Sequence, residues 1–353
     1  MSKTKSVLVT FDSMRYPNTG FFYFGKSLSQ ALAQQNEGEL DFSFYTHPSV
    51  SRDILPANVK LINKALLHKF FFPYKFNLSH FSDQYCHPDP FLVRGKKILT
   101  IHDINPYFEL AHKPAKQRRY INKIKRYIRH FDHLVAISEF VKKQVLEYFP
   151  EAQGKISVIY NGADKLPGVD ISYAPVYKPE IPFLFTIGVL SPRKNFHVLP
   201  RLLEKNNFEL IIAGIVRQDY KELILEEAKR FNCEDRVKII GTINDKDKAW
   251  YYQNCTAFVF PSLAEGFGLP VIEAMHFGKP VFLSRLTSLP EIGGDEAFYF
   301  DGFEPQHMQG VLNEGLQASE TASKSFVLKN RAESFSWNST ADEYLKLYKR
   351  ILT

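Results

Sequence analysis

The chain alternates short, nearly continuous apolar runs with stretches of helical periodicity, and it completes that rhythm twice. "SVLVTFD", "DFSFYTH", "NLSHFSD", "KILTIHD", "HLVAIS" and "KISVIYNG" come first; "FLFTIGVL", "FELIIAGI", "VKIIGTI", "AFVFPS" and "PVFLS" follow. Runs that are apolar at successive positions and bounded by turn residues suit strands buried on both faces, as in parallel sheets covered by helices. The pattern predicts two doubly wound α/β domains. A length of 353 residues agrees, because it exceeds the usual size of one hydrophobic core.

Between the two series lies "ADKLPGVDISYAPVYKPEIP", rich in proline and without periodicity, as an interdomain linker would be. The expected division is an N-terminal domain over 1–165, a linker over 166–182, a second domain over 183–332 and a closing helix over 333–353. With 44% hydrophobic and 24% charged residues, the composition is that of an ordinary globular protein. No apolar run approaches the roughly 20 residues that span a bilayer, so no transmembrane helix is expected. The opening "MSKTKSVLVTFDS" passes from lysines directly into a strand-like run, which reads as a chain kept in the cytoplasm. Cys86, Cys233 and Cys255 have no metal-ligand or CxxC spacing and read as free thiols.

The net charge of +7 is unevenly placed. "HKPAKQRRYINKIKRYIRH" holds eight Lys or Arg and no acid, while Tyr120, Ile121, Ile124, Tyr127, Ile128 and Phe131 recur at helical spacing. The segment 113–129 is therefore an expected amphipathic helix with one packed face and one basic face. Two fates of the basic face stay open: solvation, or contact with anionic lipid headgroups or an acidic acceptor. Nucleic acid is disfavoured, since aromatic and basic residues are segregated on the helix and form no interleaved stacking platform.

Ligands of open parallel sheets bind beyond the carboxyl ends of the strands, so the residues after each strand carry the functional information. After "FLFTIG", which ends on Gly188, come Arg193 and Lys194. A planar fork of donors beside a compact point charge suits a diphosphate. After "AFVFPS" comes "LAEGFGLPVIEAMHFGKP". Pro270 fits the first turn of a helix that stops at Gly278, and the NH groups of Gly266, Phe267, Gly268 and Leu269 then lie at its positive end. Glu265 falls in the loop and Glu273 is read in the first turn. A carboxylate accepts from two neighbouring hydroxyls, so Glu273 suits a ribose diol and Glu265 the hydroxyls of a second sugar.

"GVLSPRKN", "PSLAEGFGLPVIEAMHFGKPV" and "SLPEIGGDEAFYFD" together resemble the nucleotide-binding half of retaining GT-B glycosyltransferases of family 4. "VTFDSMRYPNTGFFYFGKSL" resembles the family's first strand and glycine loop, "LTIHD" the strand carrying its histidine, and "SFSWNSTADEYLKLYKRI" its closing helix. The resemblance implies two Rossmann-like domains facing across a cleft, with the C-terminal helix crossing back to the N-terminal domain. It implies that Arg193 and Lys194 hold the donor diphosphate and that Glu273 binds ribose. Glu265 and the following amides would hold the transferred sugar, and His102 would face that sugar. Gly188 and Gly20 are expected at the nucleotide. The family commonly has adjacent glycines in the first loop, whereas here Gly20 stands alone beside Phe21, Phe22 and Tyr23, aromatics suited to shaping the acceptor site.

The implied reaction is hexosyl transfer from a nucleotide diphosphate sugar with retention, GDP-mannose being the first expectation and a UDP-hexose the second. The acceptor is expected to be a glycan or lipid-linked saccharide of bacterial lipopolysaccharide or capsule assembly, at the inner face of the membrane. No metal or other cofactor is expected; Asp245-x-Asp247 is a DxD in a polar turn, weak grounds for a cation site. A glycoside hydrolase would also use two carboxylates but has no use for a diphosphate clamp. A catalytically silent nucleotide-sugar or glycan-binding module of the same fold is the remaining alternative.

Overall fold

The computed structural model describes residues 4–17, 19–320 and 322–353, with the side chain of Ala322 also outside the description. Lys3 of the opening stretch and Asn18 of the glycine loop thus lie outside the described residues. The chain divides into two compact units, one of residues 1–162 and 335–353 and one of 163–334.

The first unit contains seven parallel strands: β1 (Lys5–Thr10), β2 (Leu40–Thr46), β3 (Lys60–Asn63), β4 (Lys75–Phe81), β5 (Arg94–Ile101), β6 (His133–Ala136) and β7 (Ile156–Val158). Their order is β3-β2-β1-β4-β5-β6-β7. Val7 of β1 pairs with Phe42 of β2 on one side and Leu78 of β4 on the other. The winding direction reverses between β1 and β4, the point at which such sheets open to ligands. Ser13, just beyond β1, donates to Asp83, just beyond β4, at 2.5 Å. That buried bond ties the two strand ends together.

The Gly20–Gln35 helix covers one face with Phe24, Leu28, Ala31 and Leu32, a stripe at helical spacing. Beside it lies the Trp337–Leu352 helix, started by Ser336, whose hydroxyl accepts from the Ser339 amide at 3.1 Å. It buries Trp337, Ala341, Tyr344, Leu345 and Tyr348 in the first unit's core. Gly162 lies so close to the Trp337 backbone that a Cβ there would collide with it. His80 of β4 links the helix to the sheet: Nδ1 bonds the Tyr348 hydroxyl (2.6 Å) and Nε2 bonds Thr100 of β5 (2.8 Å), which in turn meets Tyr344 (2.8 Å). Burial lowers the His80 pKa to about 3, so the imidazole is neutral, one nitrogen donating and the other accepting.

The second unit contains six parallel strands: β8 (Phe183–Ile187), β9 (Glu209–Ala213), β10 (Val237–Gly241), β11 (Ala257–Phe260), β12 (Val281–Ser284) and β13 (Phe298–Phe300). Their order, β10-β9-β8-β11-β12-β13, reverses between β8 and β11. The central strands β9, β11 and β12 are buried along their whole length, as continuous apolar runs require.

"FHVLPRLL" forms a 3-10 helix, Phe196–Leu203, with Pro200, which has no amide hydrogen to donate, inside it. The proline-rich stretch 166–182 has no strand or helix, yet it is held to the second unit rather than free: Tyr173 and the Val176 amide both donate to Asp247 at 3.1 Å, and Tyr177 donates to Glu209 at 3.0 Å. No described helix is long and apolar enough to cross a membrane. All three cysteines are free and buried.

Candidate donor-sugar site

In the second unit the residues after β8 and those after β11 meet. Pro192–Lys194 forms a single 3-10 turn, and Asn195 takes the left-handed conformation (φ 57°) that ends it. The Arg193 carbonyl accepts from the Leu263 amide (2.8 Å) and the Ser262 hydroxyl (3.2 Å), which splices this turn to the loop beyond β11. The adjacent cations then part company. Lys194 is buried, its Nζ 2.6 Å from Glu265 Oε1 and 4.7 Å from the Phe260 ring centre. Arg193 is only half-buried, and its guanidinium makes one long contact, 3.5 Å to the Ala264 carbonyl. The two cations are therefore not an equivalent pair.

Gly188 makes room for this arrangement. A Cβ on it would stand 3.3 Å from Lys194 Cε and 3.4 Å from Phe196, so a side chain there would press on the lysine stem. Burial depresses the Lys194 pKa, and the Glu265 carboxylate opposes that shift by favouring the charged form.

Glu265 is held from several sides. Its Oε1 also accepts from Ser262, its amide donates to Thr287 Oγ1 (3.1 Å), and its carbonyl accepts from Ser288 (3.0 Å). Ser288 donates as well to the Phe267 carbonyl (2.7 Å). Thr287 and Ser288, in the loop after β12, were not singled out in the sequence; they occur in a run of small polar residues that resembles any turn. Gly268 caps the following helix at φ 119°, a conformation costly to a residue with a Cβ. The amides of Gly268 and Leu269 have no acceptor among the described residues.

Glu273 is the fifth residue of the Leu269–His276 helix, one turn further along than its sequence reading placed it. Its carboxylate is fixed by the neighbouring Asp245–Asn254 helix: Oε1 accepts from Lys248 (2.8 Å) and Oε2 from Tyr252 (2.9 Å). Lys248 and Tyr252 are four apart, hence on one helix face, a signal readable only once the partner carboxylate is known. Each carboxylate oxygen keeps a second lone pair for a ligand hydroxyl. No hydrogen bond joins Glu273 to Lys194 or Glu265 among the described residues. Asp247 of the DxD is buried as the anchor described above, whereas Asp245 is exposed and pairs with Lys248 at 3.7 Å.

His102 and Gly20 belong to the first unit. His102 follows β5 and is buried; its Nε2 is 2.8 Å from the Ser82 carbonyl, which can only accept, so Nε2 carries the proton. Burial, the main cause, lowers its pKa and leaves Nδ1 a bare acceptor. Phe21 and Phe24 stand edge-on to the imidazole at 4.9 and 4.6 Å. Gly20 opens their helix at an ordinary φ with open space where a Cβ would be. Of the aromatics beside Gly20, Phe21 thus walls His102, together with Phe24 one turn further on.

A sequence profile described as Glycosyl transferases group 1 matches residues 175–325, and one described as Glycosyltransferase Family 4 matches residues 32–165. The chain belongs to glycosyltransferase family 4. Among curated relatives of the chain, the Escherichia coli serotype-specific mannosyltransferase WbdA is 29% identical over 280 residues, covering 74% of this chain and 34% of WbdA. The chain thus spans about a third of that relative's length. The Escherichia coli O-antigen chain mannosyltransferase B is 26% identical over 272 residues, 72% of this chain and 70% of the relative. Among solved structures, sucrose-phosphate synthase from Thermosynechococcus elongatus superposes with a TM-score of 0.75 at 17% identity, over 98% of this chain and 99% of that one. Anabaena HepE in complex with UDP and glucose gives 0.70 at 17% identity, over 98% and 100%. The chain has the GT-B fold.

Proposed function

We propose that this glycosyltransferase moves a hexose from a nucleotide diphosphate sugar to a hydroxyl of a glycan or lipid-linked acceptor, with retention at the anomeric carbon and no metal ion. The observation that carries the reading is the buried Lys194–Glu265 pair at the β8/β11 reversal, with the Gly268 and Leu269 amides, which have no acceptor among the described residues, in the same loop as Glu265. An arriving diphosphate competes for Lys194, and Glu265 is then released toward sugar hydroxyls. Arg193, with its guanidinium almost uncommitted, closes on the same phosphates. The amides of Gly268 and Leu269 oppose the charge that develops there. Glu273, braced by Lys248 and Tyr252, takes the ribose diol.

In the proposed step the anomeric carbon–oxygen bond to phosphate breaks and its electron pair stays on the diphosphate. The acceptor oxygen bonds to the anomeric carbon on the face the nucleotide leaves, and its proton passes to the departing phosphate oxygen. His102, neutral, contributes a hydrogen-bond acceptor at Nδ1 for a sugar hydroxyl. The curated relatives named above are mannosyltransferases, one of them for the O-antigen chain, which supports mannose as the transferred sugar and lipopolysaccharide assembly as the setting; GDP-mannose is the first donor to try. A UDP-hexose is the second donor to try. The basic face of the Pro114–His130 helix, with Arg118 and Arg119 exposed, suits a phosphorylated acceptor or the inner face of the cytoplasmic membrane.

The test is turnover of GDP-mannose and UDP-glucose in the presence of a chelator, with the product's anomeric configuration read by NMR. Transfer with retention supports the reading; transfer with inversion, or activity that returns only with a divalent cation, contradicts it.

A further inference from the structure

We propose that the segment between β3 and β4, residues 64–74, is a membrane-contacting wedge that inserts apolar side chains into the interface of an anionic lipid bilayer. Leu66, Leu67, Phe70 and Phe71 are exposed to 82%, 58%, 80% and 58%. Single exposed apolar side chains are normal on a soluble surface, but four large ones within six positions form a patch of the kind that marks an interaction site.

The segment is held in this presentation by its alternate residues. His68 and Phe72 are buried, and their rings lie 5.3 Å apart. Tyr45 of β2 packs on His68 at 5.7 Å and Tyr74 on Phe72 at 5.3 Å. His68 Nδ1 accepts the Ala65 amide at 3.2 Å, which closes the Leu66–Lys69 turn from below. An aromatic cluster thus grips the base while the four apolar side chains point away from the core.

The charge around the wedge selects the occupant. From residue 54 to residue 82 the chain holds Lys60, Lys64, Lys69 and Lys75 and no Asp or Glu. Lys64 pairs with Asp12 at 3.0 Å; Lys60, Lys69 and Lys75 are exposed and have no ion-pair partner among the described residues. Leucine and phenylalanine side chains flanked by lysines match the boundary between acyl chains and anionic headgroups. A second copy placed across a two-fold axis would set the same lysines against one another, which disfavours self-association through this patch. The wedge is a different element from the Pro114–His130 helix, and the proposal does not rest on the transferase reading.

The experiment is co-sedimentation of the full chain with phosphatidylcholine vesicles, with and without about one-third phosphatidylglycerol. Leu66→Ser/Phe70→Ser/Phe71→Ser is measured alongside, with its fold checked by circular dichroism. The expected result is binding to the anionic vesicles that falls at least about tenfold in the triple variant, as loss of the buried apolar area requires. In a Phe70→Trp variant, tryptophan emission should move to the blue when anionic vesicles are added. Three results would overturn the proposal. One is wild-type protein that stays in the supernatant; another is a triple variant that binds as wild type, as when Arg118→Ala/Arg119→Ala alone abolishes binding. The third is a dimer in sedimentation velocity that the triple substitution dissociates, without vesicle binding, which would assign the patch to a second copy.

Discussion

Lys194 and Glu273 show how the site keeps its charges in place before a ligand arrives. Lys194 is desolvated and depends on Glu265; Glu273 is gripped by Lys248 and Tyr252. Removing one gripping bond should leave the carboxylate in place but less well aimed. Tyr252→Phe is therefore predicted to weaken nucleotide binding about threefold to tenfold, the range expected for one hydrogen bond, whereas Glu273→Ala should weaken it more. Unchanged nucleotide affinity in both variants, measured by calorimetry, would remove Glu273 from the ribose role. Glu265→Ala should behave differently: nucleotide affinity within about twofold of wild type, with turnover of the sugar donor lowered about a hundredfold or more. A parallel loss of both in steady-state kinetics and titration would count against a sugar-specific role. Of these residues, Lys194, Glu265 and Glu273 were legible because their spacing carries a family pattern. Lys248, Tyr252, Thr287 and Ser288 were not, since their function comes from the side chains they meet across helices and loops far apart in sequence.

The elements that position these residues were easier to read than their details. Continuous apolar runs translate directly into buried strands, but a run containing Pro200 satisfies helical periodicity while forbidding an α-helix. The C-terminal helix makes a prediction of its own through the His80–Thr100–Tyr344–Tyr348 network. His80 has a folded pKa of about 3, well below its ordinary value of 6.5, so the unfolded chain binds more protons between those limits. Its contribution is fully present above about pH 6.5 and is lost as the pH falls toward 3, by up to about 1.4 kcal/mol for each pH unit. His102 and His133 are shifted in the same direction, and the wild type should therefore lose stability to acid by more than one proton's worth. His80→Gln should be less stable than wild type near pH 7.5 yet show a smaller further loss near pH 5.5. Urea titrations of both proteins at the two pH values test this, and an identical pH dependence would exclude His80 as the sensor.

At the scale of the whole molecule, the two-domain organisation was visible because the strand rhythm occurs twice with a proline-rich break between. The return of residues 335–353 to the first unit was available only through the family resemblance, since nothing in an amphipathic helix says which core will receive it. The exposed wedge after β3 escaped notice for the opposite reason: in sequence "LLHKFFFP" looks like core, and only the structure shows that His68 and Phe72 are the buried members. Under the proposed function, the second unit is a metal-independent receptor for a nucleotide diphosphate. The most direct test is calorimetric titration of the full chain with GDP, UDP, ADP and CDP in the presence of a chelator, with Glu273→Ala in parallel. Binding of one nucleotide, GDP first, is expected, strongly weakened in the variant. Binding of none, or binding that is indifferent to Glu273, would contradict it.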